Sequence, residues 1–210
     1  MSRKIHKREP LVNNAIAVIG EGITEQYYLN SIQHLVKGQL NPKIPKHSTG
    51  NKFVEAEIKK CIADGYSKIY CLIDMDNKKG GKEKGEYLNL KNKYHNKVSA
   101  NKSNGTISEI RFFENERCLE IWFLFHYKNT AAEFIAQDNL LDELNKFCLY
   151  EKTAKFFLST GGLHQYFIKN GGSFDNAKSF AENSVKSKLL QGRDYTYSEM
   201  KDFLDLIERK

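Results

Sequence analysis

Two short segments of this chain are apolar almost throughout, "AIAVIG" at Ala15–Gly20 and "KIYCLI" at Lys68–Ile73. Continuous runs rich in Ile and Val, without the alternation of a half-exposed strand, suit a parallel sheet covered on both faces. After the first run the spacing turns helical. Tyr28, Leu29, Ile32, Leu35 and Val36 fall on one stripe, with Thr24 placed to cap it. A second stripe of Val54, Ile58, Cys61 and Ile62 stops at Gly65 and leads directly into the second apolar run. Strand then helix, repeated, predicts an α/β fold with right-handed crossovers.

Further along, the pattern predicts a helix over about 84–98, a third strand at "ISEIRFF", and a strongly apolar helix, "ERCLEIWFLFHY", capped by Asn115. A short strand within "LNPKIPKHSTG" is weakened by its two prolines. From about Thr130 the signals are helical, broken by glycine pairs at Gly161 and Gly171. A chain of 210 residues with 40% apolar content is one domain's worth of core, here with a core over 11–128 and a helical C-terminal extension over 129–210 packed on it.

The net charge of +7 favours an acidic partner such as nucleic acid without establishing one. Its distribution says more, because residues 77–105 hold eight lysines (Lys78, Lys79, Lys82, Lys84, Lys91, Lys93, Lys97, Lys102) against Glu83 and Glu86. Arg3, Lys4, Lys7 and Arg8 add to it at the N-terminus. A solvated surface accounts for such a run as well as a nucleic-acid interface does. Cys61, Cys71, Cys118 and Cys148 form no C-x-x-C pair, so reduced, mostly buried thiols are expected. No apolar leader and no stretch near the ~20 apolar residues of a bilayer span is present, which predicts a cytoplasmic protein without membrane partners.

The candidate chemistry lies where the apolar runs stop. "IGEGITEQYYLN" puts Glu21 between two glycines after the first run, and "LIDMDN" puts Asp74 and Asp76 on alternate positions after the second. Residues at i and i+2 of an extended chain project to one side, and neighbouring strands lie roughly 4.8 Å apart. If these strands are adjacent, three carboxylates converge at the carboxyl edge of the sheet, where open α/β folds bind ligands. Protons or a divalent cation must neutralise them. An all-oxygen set favours Mg²⁺ or Mn²⁺ over zinc. Plain turn chemistry after a strand is the alternative.

Other candidates are more ambiguous. Glu120, inside the most apolar helix, needs a cation or hydrogen-bond partners, whether as a second metal ligand, a water-positioning base or a structural pair. His126 lies six positions on, about 120° around the helix, and reads better as a packing histidine. Lys152 either neutralises a phosphate or is a surface lysine near a helix start. Glu114 and Glu116 read as helix N-terminal charges.

With these residues in view, "EGITEQYYL" followed by "IYCLIDMDN" resembles the Toprim domain, and more particularly the RloB family of small Toprim-like proteins related to OLD-type nucleases. Gly22, Thr24, Glu25, Tyr27 and Tyr28 fit that family's pattern, as do "NERCLEIWFLFHY" at a slightly different Asn spacing and the pair Tyr150 and Lys152. The resemblance spans about Leu11 to Lys188, and "YTYSEMKDFLDLIE" departs from it. It implies a Toprim-like Rossmannoid sheet flanked by helices and a Mg²⁺- or Mn²⁺-dependent nuclease in a prokaryotic antiviral-defence setting, with RNA, tRNA included, or DNA as substrate. On that reading Glu21, Asp74, Asp76 and Glu120 hold metal, and Lys152 assists catalysis. Lys78, Lys79, Lys82, Lys84 and Lys152 meet nucleic acid, and Thr24, Glu25 and His126 give support. The rival is a nucleic-acid or nucleotide-binding module that acts with a partner protein.

Overall fold

A computed structural model of the protein describes residues 15–45, 50–101 and 105–209. The N-terminal basic residues Arg3, Lys4, Lys7 and Arg8, together with Lys102, lie outside the described residues. The elements run β1 (Ala15–Ile19), α1 (Ile23–Ser31), β2 (Gln39–Lys43), α2 (Asn51–Asp64), β3 (Lys68–Asp74), α3 (Gly81–Tyr94), β4 (Lys97–Ala100) and β5 (Ile107–Glu116). They continue with α4 (Glu120–Phe125), α5 (Gln137–Leu144), α6 (Ala154–Ser159), α7 (Leu163–Lys169), α8 (Phe174–Gln191), β6 (Tyr197–Ser198) and α9 (Met200–Ile207).

The sheet order is β2-β1-β3-β5-β4, with β6 also on β5. β2, β1, β3 and β5 are mutually parallel, whereas β4 and β6 run antiparallel to β5. Both faces are covered, as the unbroken apolar runs required. Ile19, Ile69, Cys71, Ile73 and Phe112 pack with Val54 and Ile58 of α2 and Tyr87 and Leu90 of α3. On the other face Val18, Tyr70, Leu72 and Phe113 meet Tyr28 and Leu29 of α1, Trp122 of α4, Ala181 of α8 and Phe203 of α9. The four cysteines are buried and free. This is the α/β, mostly parallel architecture that the pattern predicts.

Several local expectations change. Helix α1 is capped at Gly22, so Thr24 lies inside its first turn, and the helix ends at Ser31 before a 3₁₀ turn, Gln33–Leu35. The helix expected over 84–98 stops at Tyr94. Asn96 adopts φ 56°, a left-handed conformation that asparagine tolerates, and the chain reverses into β4. Asn115 does not cap a helix, because β5 continues to Glu116 and places Glu114 and Glu116 in a strand. Only Glu120–Phe125 of "ERCLEIWFLFHY" is α-helical. The polar "ENE" ending is stable in a strand because each side chain finds a partner. Asn115 Oδ1 accepts from Ser198 Oγ at 2.6 Å, Glu114 is surrounded by lysines and tyrosines, and Glu116 pairs with Lys79 at 3.1 Å. The proline-containing segment does form β2, an edge strand in which Pro42 is tolerated.

Candidate functional site

The parallel register Ile19↔Cys71 between β1 and β3 makes both chains leave the sheet at the same edge, β1 through Gly20 and Glu21, β3 at Asp74. Gly20 is required by space. A Cβ there would lie 2.7 Å from the Cβ of Glu25, so only glycine lets α1 fold back across the strand end and bury Glu25. Glu21, Asp74, Asp76, Asn51, Lys52 and Lys78 are among the residues lining one cavity of about 440 Å³. The three acids line this cavity without the extended i, i+2 geometry expected for Asp74 and Asp76. Strand β3 ends at Asp74, and the Met75 N–H donates to the carbonyls of Asn115 and Arg117. Asp76 therefore sits in a turn, its Oδ1 accepting from the Asn77 N–H at 2.7 Å.

Behind Asp74 lies a second layer of acid. Its Oδ1 accepts the Leu119 N–H at 3.0 Å. Glu120, the first residue of α4, is fully buried; its Oε1 accepts from Tyr150 Oη at 2.9 Å and Thr24 Oγ1 at 3.4 Å and pairs with Lys152 Nζ at 3.1 Å. Among the described residues Glu120 Oε2 has no hydrogen-bond partner. Burial, then the charges of Glu25, Glu120 and Glu21, hold the Asp74 carboxyl well above its ordinary range. Burial also pushes Glu25 up to about 8, with Glu120 and Glu21 adding to the rise. Glu21 is raised by burial, although Lys78 opposes the shift. Burial alone would lower Lys152, but the carboxylates of Glu120 and Asp74 hold its ammonium above its usual value. The region is short of positive charge.

The lysine-rich stretch is less open than its composition suggests. Lys78 is buried, and its Nζ donates to Glu21 Oε1 at 2.8 Å, Glu21 Oε2 at 3.0 Å and the Asp74 carbonyl at 2.7 Å. Lys79 is held by Glu116, Lys91 by Glu114 and Lys93 by Glu55 at 2.7 Å. Lys82 and Lys84 stand in solvent on the first turn of α3. His126 is buried against Trp122, Phe167 and Phe174, and its Nδ1 lies 3.0 Å from the Trp122 carbonyl. Burial lowers it to about 3, so it stays neutral and packs, away from Glu120. Two functional contacts escaped the sequence. The Leu119 N–H has no side-chain signature, while Tyr150 as a donor to Glu120 was signalled only by the Tyr-x-Lys pattern.

A hard dication fits the chemistry of this donor set, which is all oxygen and includes a fully buried carboxylate oxygen without a partner. In the structure the ammonium of Lys78 engages both oxygens of Glu21. Among the described residues no three His, Cys, Asp or Glu side chains are grouped to hold a metal ion.

Fold and site together define an α/β protein with an acid cluster at the carboxyl edge of a mostly parallel sheet. The chain belongs to the RloB-like protein family, whose model matches residues 16–207. That match runs through Tyr195–Glu208 almost to its end, beyond the Lys188 limit of the resemblance, and it begins at Ile16 rather than Leu11. No curated protein and no solved structure matches the chain. Among the described residues no helix is long and apolar enough to cross a membrane.

Proposed function

We propose that this protein is a metal-dependent phosphodiesterase of Toprim type that cleaves nucleic acid, RNA or DNA, in antiviral defence. The observation that carries the reading is the setting of Asp74. It ends β3 in the cavity that Glu21 and Asp76 also line, with Glu25 and Glu120 close enough to raise its carboxyl. Acids so poorly compensated suit a dication, and Glu21, Asp74 and Asp76, with Glu120 behind them, are the residues that would hold Mg²⁺ or Mn²⁺. When bound, the ion supplies an activated water and polarises a phosphate.

The chain's own groups do the rest. Lys152 stays protonated between Glu120 and Asp74 and provides fixed positive charge facing the acids. Tyr150 and Thr24 orient Glu120 by donating to its Oε1. Lys82 and Lys84, exposed beside the cavity-lining Glu83 and Glu86, are placed to meet backbone phosphates. The contact of Lys78 with Glu21 favours a second reading, a nucleic-acid or nucleotide-binding module that works with a partner protein.

The deciding experiment incubates purified protein with labelled duplex DNA, single-stranded DNA, total RNA and tRNA, each with Mg²⁺, Mn²⁺ or EDTA, beside Asp74→Ala. Cleavage that needs the dication and Asp74 supports the enzyme and names its polymer. Binding without cleavage supports the module, and cleavage surviving both EDTA and D74A sinks the metal mechanism.

A further inference from the structure

The Lys78 side chain reaches back from the loop after β3 and spends all three donors of its ammonium on the candidate site. Two go to the carboxylate of Glu21 and one to the main-chain carbonyl of Asp74. Those acceptors come from the ends of two different strands, and the side chain is 5% exposed. A lysine so fully used and so little exposed occupies a built site for a cation rather than a solvated surface. Lys52 is the contrast. It lines the same cavity, is exposed, and does not touch Glu21.

We infer that Lys78 is an internal counter-ion that competes with a dication for Glu21, so that loading the metal and displacing Lys78 are one coupled event. The inference rests on the metal reading proposed above and adds a regulatory device to it. A carboxylate whose two oxygens are held by an ammonium at 2.8 and 3.0 Å can receive a dication at the roughly 2 Å reach of Mg²⁺ only through its remaining lone pairs, close beside that ammonium. Two cations on one carboxylate repel each other as well. The two cations therefore compete electrostatically for Glu21. The loop has the means to let go. Between Lys78 and α3 lies Gly80, with open space where a Cβ would be, and α3 itself opens on Gly81 at φ +61°. With Lys78 in place, a dication at Glu21 is disfavoured. Once released, the same ammonium enters a cavity where a phosphate's charge can receive it.

The test is titration of the full chain with Mn²⁺ alone, free ion followed by electron paramagnetic resonance, for wild type, Lys78→Met, Lys52→Met and Asp74→Asn. The latch predicts that K78M binds Mn²⁺ about tenfold tighter or more, the scale expected when a charge-assisted set of hydrogen bonds no longer has to be broken. K52M, which removes the same charge from the same cavity, changes affinity less than about threefold, and D74N weakens binding. An affinity in K78M within twofold of wild type, or an equal gain in K52M, overturns the latch. The metal reading then survives if D74N still weakens binding. Failure of every variant to bind Mn²⁺, K78M included, overturns both. Should K78M not fold, as judged by circular dichroism, Lys78→Gln carries the same expectation.

Discussion

Two buried carboxylate clusters leave neighbouring strands one register position apart, and they are compensated in opposite ways. Glu114 on β5 pairs in register with Ile73, whereas Asp74 pairs with Asn115, so the acids point to opposite faces of the sheet. Glu114 receives the ammonium groups of Lys188, at 2.8 Å, and Lys91, and the phenols of Tyr87 and Tyr197 at 2.6 and 3.0 Å. Burial would raise it, but those two lysines hold its carboxyl down at about 2. Around Asp74 the balance is reversed. Glu21, Glu25 and Glu120 face a carboxyl already raised by burial, Lys152 alone opposes them as a leading influence, and one oxygen of Glu120 has no hydrogen-bond partner among the described residues. The first cluster ties α3, β5, α8 and β6 together. The second crowds acids whose carboxyls burial and one another push upward, an arrangement that costs stability and, on the reading proposed above, suits uptake of a dication.

The contrast is sharpest in activity. If the proposed cleavage is found, Asp74→Asn lowers it about 10²- to 10³-fold, while the unfolding midpoint in EDTA stays level or rises because a repelling carboxylate is gone. A fall in midpoint would place Asp74 with the structural acids. Glu114→Gln should do the reverse. Breaking a buried, doubly paired carboxylate costs about 3–5 kcal/mol of stability in denaturant titrations, with cleavage per folded molecule unchanged. Lost cleavage at unchanged stability would erase the distinction between the clusters.

Titration separates them next. Glu114, held near 2 in the fold, contributes stability that is present above about pH 4.5 and lost as pH falls toward 2. Glu25, raised to about 8, binds its proton more tightly folded than unfolded, so stability declines as pH rises from about 4.5 to 8. In EDTA, Glu114→Gln should flatten the acid arm of the stability curve and Glu25→Gln the alkaline arm. An alkaline arm that persists in E25Q would show that Glu25 is not its source. The smallest effect belongs to the exposed lysines. Replacing Lys82 and Lys84 by Ala should weaken nucleic-acid binding and lower its salt slope by about 1–2, and an unchanged slope would remove them from the interface.

The sheet was legible in the sequence because fully buried parallel strands carry an unbroken apolar signal, and the residues that end β1 and β3 stood out as charges where that signal stops. β5 was read short because its last residues, Asn115 and Glu116, are polar and their partners Ser198 and Lys79 lie far away along the chain. The same distance hid the Glu114 cluster, and β6 was too brief to have a period of its own. The setting of Lys78 was hidden for a related reason. Composition counts a lysine's charge, but only the fold shows that its ammonium lies on Glu21.

The partners that fasten β5 come from 83 residues further on, where Tyr197 and Ser198 reach Glu114 and Asn115, while Glu208 bridges back to Val36. A polypeptide emerging vectorially from the ribosome makes β1, β3 and β5 well before it makes the segment that locks them. Contacts so distant in sequence close slowly, so the end of β5 is fastened only once the segment carrying Tyr197 and Ser198 has been made. Nascent chains still lacking that stretch carry Glu114 and Asn115 without two of the partners that hold them.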